Sequence, residues 1–335
     1  MSPLSVSPAE LQSLEAALLN TSGTVPLHSR FRALFTLKAL KNEAAIRIIS
    51  KGFQDDSALL KHELAYCLGQ IKDVAALPTL EAVLANEHED PMVRHEAAEA
   101  MGAIAAEKSL PMLRKYCEDS DRAVRETCEI ALARIEWAHS EEGKNASTSA
   151  VSSEEPQMYT SIDPAPPTSG LLRGKPRPGD LTEQNIADLR TTLLDTHLPL
   201  FQRYRAMFAL RNIGTPAAVD ALAAGFIDDS ALFKHEIAFV FGQLLSPHSV
   251  PALIKVLQDA HESDMVRHEA AEALGGIATP EVLPYLKEYM TRPDAPLVVR
   301  QSCEVALDMY EYENSDQFQY ADGLGSGAAA VSVGA

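Results

Sequence analysis

The stretch from Gly52 to Glu63 returns as Gly225 to Glu236, 173 positions on, with ten of its twelve residues unchanged. The same offset carries Met92–Ala100 onto Met265–Ala273 without a change. A chain that contains itself twice must fold as two similar halves, and any architecture has to accommodate that repeat first. A shorter period runs inside each half, since His62 to His95 and His235 to His268 are both 33 residues. That length suits one helical hairpin. Apolar residues three and four apart, as in Leu77, Leu80, Val83 and Leu84, give a helix one buried stripe, and strand-like alternation is missing.

The first half divides into four hairpins, with helices expected near 7–20 and 27–41, 43–54 and 57–71, 73–86 and 90–105, and 107–118 and 121–136. The second half repeats the scheme from about 180 to 311. Ser57 and Asp90 suit N-caps, the latter followed by Pro91 at a position where a missing N–H costs nothing. Hairpins of this length, with Arg, then Ala-Ala, then Leu-Gly in the second helix, resemble HEAT repeats. The expected fold is therefore all-α: a HEAT-repeat α-solenoid of eight hairpins in two homologous blocks of four facing each other. Residues 1–137 and 180–314 would be the two repeat domains. Residues 138–179, rich in Ser and Pro and without periodicity, are expected to be a disordered tether, and 315–335 a disordered tail.

The chain has 29 Lys and Arg against 47 Asp and Glu, a net charge of −18, and residues 138–179 contribute little of it. So acidic a folded surface repels phosphate backbones and anionic membranes and favours a cationic substrate. No apolar run of about 18 residues is present, and Met1–Ala9 lacks the pattern of a secretory signal, so a cytoplasmic protein is expected. Cys67, Cys117, Cys128 and Cys303 show no CxxC spacing and mostly fall in apolar helical patterns, as buried free thiols do.

The chemistry sits in a pattern H-E-x-A-x-x-x-G that starts at His62, His95, His235 and His268. Each pair lies on the second helix of a middle hairpin, where adjacent residues can present an imidazole and a carboxylate to one cavity at one level. The other hairpins carry Phe31 and Arg32, Glu126 and Thr127, Tyr204 and Arg205, and Gln301 and Ser302 at the equivalent places, so HEAT packing alone does not demand His-Glu. The candidate metal ligands are His62, Glu63, His95, Glu96, His235, Glu236, His268 and Glu269. Four like charges in one cleft need cations, and two divalent ions balance four carboxylates. Mixed imidazole and carboxylate donors with open positions suit iron or manganese better than structural zinc.

Around this set, Met92 and Met265 precede their histidines by one turn and are expected to touch substrate, unless they are ordinary core methionines. Glu99 and Glu272, four residues after His95 and His268, could orient the imidazoles or simply face solvent. Gly69, Gly102, Gly242 and Gly275 lie seven residues past each histidine and permit close helix packing. His88 and His261 match across the halves but fall between helices, where solvation is expected.

With its four His-Glu pairs in K-H-E and V-R-H-E contexts, the sequence resembles deoxyhypusine hydroxylase, a HEAT-repeat di-iron monooxygenase family, over both repeat blocks. The resemblance implies two Fe2+ per chain, held by the eight residues named above, and O2 as co-substrate. It implies hydroxylation of the deoxyhypusine side chain of translation initiation factor 5A, completing hypusine. A cationic polyamine side chain agrees independently with the acidic protein. The rival class is a metal-free HEAT scaffold that binds a protein partner on its concave face, and a di-zinc or di-manganese hydrolase is a third reading.

Overall fold

The structure is a computed structural model that describes residues 6–152, 159, 161–168 and 183–315, with backbone only for 147–152. Its described residues are helical, without a strand, and the expected hairpins are all present. In the first half α1 (Pro8–Leu18) pairs with α2 (Leu27–Leu40), α3 (Glu43–Lys51) with α4 (Ala58–Ile71), α5 (Leu77–Ala85) with α6 (Pro91–Ile104), and α7 (Leu110–Tyr116) with α8 (Arg122–His139). A further helix, α9 (Glu141–Ser152), follows. The second half runs α10 (Glu183–Leu194) with α11 (Leu200–Ile213), α12 (Pro216–Ala223) with α13 (Ala231–Leu244), α14 (Val250–Gln258) with α15 (Asp264–Ile277), and α16 (Leu283–Thr291) with α17 (Leu297–Glu313). Among the described residues no helix is long and apolar enough to cross a membrane.

The second helix of each hairpin forms an inner layer, and one residue type sets its rotation. Arg30, Arg94, Arg203 and Arg267 are buried, and each donates Nε to a carbonyl near the end of its own outer helix: Leu18, Leu84, Leu193 and Leu257. The guanidinium thus satisfies an orphan carbonyl at the negative end of a helix dipole. Lys61 and Lys234 occupy the same position and pair with Glu89 and Glu262 at 2.6 Å. Because the basic side chain is tied outward, the next residue along, a histidine in the four middle hairpins, points inward.

Inner helices stack closely where a glycine allows it. A Cβ on Gly69 would lie 2.7 Å from the Ala100 Cα, and one on Gly275 would lie 2.5 Å from the Ala306 Cα. Both obstacles are backbone, so a methyl group cannot be absorbed by turning a side chain. Gly275→Ala should therefore force α15 and α17 apart and cost roughly 1–3 kcal/mol. A calorimetric scan of the variant should show a lowered midpoint, and an unchanged one would mean that the approach is not a constraint.

The two halves close on each other directly. α17 packs on α2 and α4, while α11 and α13 pack on α8. Val305 of α17 belongs to the apolar core of the first half, and Met92 and Ile130 belong to that of the second. Polar contacts lace both seams. Arg32 donates to Asp308 at 3.0 Å, Ser57 to Gln301 at 3.1 Å, Ser230 to Glu126 at 2.6 Å, and Arg122 to Asp229 at 2.8 Å. The end-hairpin residues that replace His-Glu, Arg32, Glu126 and Gln301 among them, thus serve as interlocks between halves.

The connector departs from expectation. Part of residues 138–179 is helical, in α9, and Tyr159 with residues 161–168 packs against both halves. The anchors are isolated polar contacts and two buried residues, Pro164 and Ala165, which leave no periodic trace in the sequence. The remaining connector residues and the expected tail beyond 315 lie outside the described residues. With interdigitated cores at both seams, chelating bound metal should change the radius of gyration in solution scattering by little. Arg32→Ala, by contrast, should lower stability by about 1–2 kcal/mol, a value discounted for the partial exposure of the pair. Expansion on chelation would show that the seams alone do not hold the ring.

Candidate metal centre

The inner helices α4, α6, α13 and α15 bring all four His-Glu pairs to the middle of the molecule. His62, His95, His235 and His268 are between 0% and 5% exposed, and the four glutamates that follow them are also buried. The His62 ring centroid lies 5.5 Å from that of His95, 5.7 Å from His235 and 5.3 Å from His268. His235 lies 5.3 Å from His268. Carboxylates reach across the helices: His62 Nε2 is 3.3 Å from Glu96 Oε2, and His235 Nε2 is 3.5 Å from Glu269 Oε2. Donor atoms within 4.8 Å of one another form two groups that share His62: one with His235 and His268, the other with His95 and Glu96.

None of the eight ring nitrogens of these histidines makes a hydrogen bond, and neither does Glu236 Oε1. Each buried polar atom left in this state costs about 1–3 kcal/mol, so a fold that keeps four such imidazoles together implies a partner for one nitrogen of each, the other nitrogen keeping its N–H for a nearby carboxylate. The donor set fits divalent cations, since neutral imidazole and carboxylate are metal-ligand forms.

Charge tells the same story. Burial, then neighbouring imidazoles, holds His95, His235 and His268 well below the ordinary histidine range. His62 is the exception: burial opposes its charge, but Glu96 and Glu63 outweigh burial and hold it well above. Burial pushes the carboxyls of Glu236 and Glu269 well up, with Glu99 adding to the first and Glu272 to the second. Carboxyls raised in this way hold their protons more tightly in the metal-free protein, and a cation that takes them as carboxylates must displace the protons they hold. Metal uptake at pH 7 should release protons, and affinity should climb as pH rises. Titration calorimetry in two buffers of different ionisation enthalpy measures this, and proton-neutral binding would contradict the arrangement.

A cavity of about 470 Å3 opens directly onto the cluster. His62, Glu63, Glu96, His235, Glu236 and Glu269 form its floor, with Glu99 and Glu272 beside them. Glu272 accepts from Ser302 Oγ at 2.9 Å and lies 3.6 Å from His268 Nδ1, which suits an orienting carboxylate; burial, then Glu63, pushes its carboxyl up to about 8. Glu99 faces the same space, and burial followed by Glu96 raises it well above the carboxylate range. Tyr66 and Phe239, edge to face at 6.0 Å, form a wall. From floor to mouth the lining residues climb toward the C-terminal ends of the inner helices, so the helix dipoles add negative potential where a substrate arrives.

Met92 and Met265 do not line this cavity. They lie at the opposite end of the cluster, in a separate space of about 310 Å3 bordered by first-turn residues such as Asp90, Asp121 and Asp264. Both are buried in the apolar core of the second half, which fits ordinary core methionines; sharing an angular position with the histidines does not bring them into the cavity, because their axial position differs. A residue one turn N-terminal to the histidine sits beyond the floor, whereas the cavity extends C-terminally from it. His88 and His261 are exposed, as expected for residues between helices.

Several lining residues went unnoticed in the sequence. Tyr159 and Ser161 enter from the connector, and Phe35, Gln243 and Met309 come from inner-helix positions without a motif. Gln243 left a signal: it repeats Gln70 at the 173-residue offset, eight residues past each histidine.

A ring of helical hairpins around a buried cluster of imidazoles and carboxylates defines a HEAT-repeat protein with a metal-ligand core. Family models agree on the fold: HEAT repeats match residues 46–133, 83–146 and 226–308, and the PBS lyase HEAT-like repeat matches 202–228. Deoxyhypusine hydroxylase of Lentinula edodes is 68% identical over 98% of this chain and 100% of its own length. The enzymes of the same name from Cryptococcus neoformans and Rattus norvegicus are 54% and 50% identical, each over 95% of this chain and over 90% and 97% of their own lengths. Human deoxyhypusine hydroxylase in complex with glycerol superimposes with a TM-score of 0.78 at 46% identity, covering 90% of this chain and 96% of that one. The chain belongs to the deoxyhypusine hydroxylase family.

Proposed function

We propose that the chain hydroxylates a deoxyhypusine side chain on a protein substrate, translation initiation factor 5A, using two Fe2+ held by His62, Glu63, His95, Glu96, His235, Glu236, His268 and Glu269. Membership of the hydroxylase family carries the reaction class. The observation that supports the metal pair is the nest of four imidazoles, none of whose ring nitrogens makes a hydrogen bond, packed against four carboxylates. Iron bound there would supply the oxidation, with O2 as co-substrate.

The protein's own groups do the rest. Glu99 and Glu272 at the edge of the floor are placed to receive the ammonium groups of the entering side chain, and the Tyr66–Phe239 wall packs its methylenes and faces its charge. The inner-helix C-termini favour the same cation at the mouth. A narrow, mostly buried floor excludes water from the reacting carbon. Residues 1–137 and 180–314 act as the two repeat domains, and a protein with free cysteines, three of them buried, suits the reducing cytoplasm.

His62→Ala should strip metal from the protein, because His62 belongs to both donor groups, and should abolish hydroxylation while the helical circular-dichroism signal persists. Elemental analysis of the native protein should find two irons per chain. Normal hydroxylation at less than one iron per chain would sink the iron assignment. An entering ammonium favours the ionised form of Glu99, so Glu99→Gln, which cannot ionise, should raise KM by about tenfold, the size expected when a charged contact to substrate is lost.

A further inference from the structure

The two halves are related by a pseudo-twofold, and the connector breaks it. Gln70 and Gln243 are equivalent residues near the ends of α4 and α13, and Gln243 lines the cavity. One short piece of chain touches both: Gln70 accepts from Ile162 N–H at 2.7 Å, and Gln243 donates to Ser161 Oγ at 2.7 Å. Residues 161 and 162 therefore bridge the two halves, with Ser161 on the cavity lining. Beyond them Asp163 is gripped by Arg211, 3% exposed, through two bonds of 2.7 Å, and Arg134 donates to the Asp163 carbonyl at 3.2 Å. Arg211 also stacks on Tyr159, its carbon 4.1 Å from the ring centroid. The grip on Asp163 and Tyr159 lies at the seam between α8, which carries Arg134, and α11, which carries Arg211.

The equivalent positions at the other seam, between α17 and α2, look different. Lys38 stands where Arg211 does and Phe35 where Phe208 does, with Lys38 Nζ 4.4 Å above the Phe35 ring. Met309 stands where Arg134 does. No connector residue covers them among the described residues. Phe35, 38% exposed, and Met309 line the cavity.

We infer that Tyr159 and connector residues 161–168 form a lintel that closes one of two pseudo-equivalent approaches to the cavity floor and so directs the substrate side chain in past Phe35 and Met309. The inference rests on the reading that the 470 Å3 cavity receives that side chain. A tether needs none of the contacts described. A buried, two-bonded Arg–Asp pair under an aromatic ring is a built feature, because both ions are stable out of water only in such geometry. Asp163 and Tyr159 are thus positioning residues for the known reaction.

The test uses the full-length, metal-loaded chain with Cys117→Ser, which removes the one cysteine that is not buried. In that background Met309→Cys is folded first and then labelled with a bulky maleimide. Labelling should raise KM for the deoxyhypusine-bearing protein by about tenfold or more, with metal content and circular dichroism unchanged. Replacing residues 161–165 by Gly and Ser at equal length should reopen the other side, so that the same label then inhibits by less than about threefold. Equal inhibition in both backgrounds would overturn the inference, as would no inhibition in either while Glu99→Gln still raises KM. If neither the label nor Glu99→Gln affects KM, the cavity is not the substrate's, and the reading beneath the inference falls with it.

Discussion

Four imidazoles and four carboxylates buried within a few ångströms of one another are the condition on which the rest of this molecule depends. Left alone they are unfavourable, for burial raises some carboxyls well above their ordinary range, depresses three of the imidazoles and leaves every ring nitrogen without a hydrogen bond. The scaffold must therefore hold them together against their own tendency to separate. Tied Arg and Lys side chains aim each helix, glycines bring the helices into backbone contact, and the two seams close the ring without help from the centre. Divalent cations bound there would convert an unfavourable cluster into a ligand shell.

Much of this is legible in the sequence, because the repeat carries it. The 173-residue offset and the 33-residue spacing are enough to place the eight candidate ligands on four equivalent helices. The helix boundaries also agree within a few residues, since capping residues such as Ser57 and Asp90 act locally. C-terminal ends are less visible. Lys41, Lys72, Ala105, Leu245 and Ala278 all adopt the left-handed cap conformation that glycine usually marks, and only Gly214 announces it.

What the sequence hides has one physical character: it depends on direction along an axis or on contacts that occur once. Met92 and Met265 share a face with the histidines yet lie on the far side of the floor. The Asp163–Arg211 pair joins residues 48 positions apart with no periodic pattern around either. Likewise, the residues standing in for His-Glu in the outer hairpins read as drift, although Glu126 and Gln301 make matching contacts with Ser230 and Ser57.

Those two matching contacts have an evolutionary meaning. Ser57 with Gln301 and Ser230 with Glu126 are the same contact made twice, once at each seam, which is how an isologous interface between identical subunits is built. The molecule has the geometry of a homodimer whose protomers were joined end to end. In such a dimer both approaches to the metals would have been identical by symmetry, and one could not be altered without the other. Fusion lifted that restriction. Once a single segment of chain could lie across one side alone, an enzyme with two interchangeable faces could acquire a front and a back.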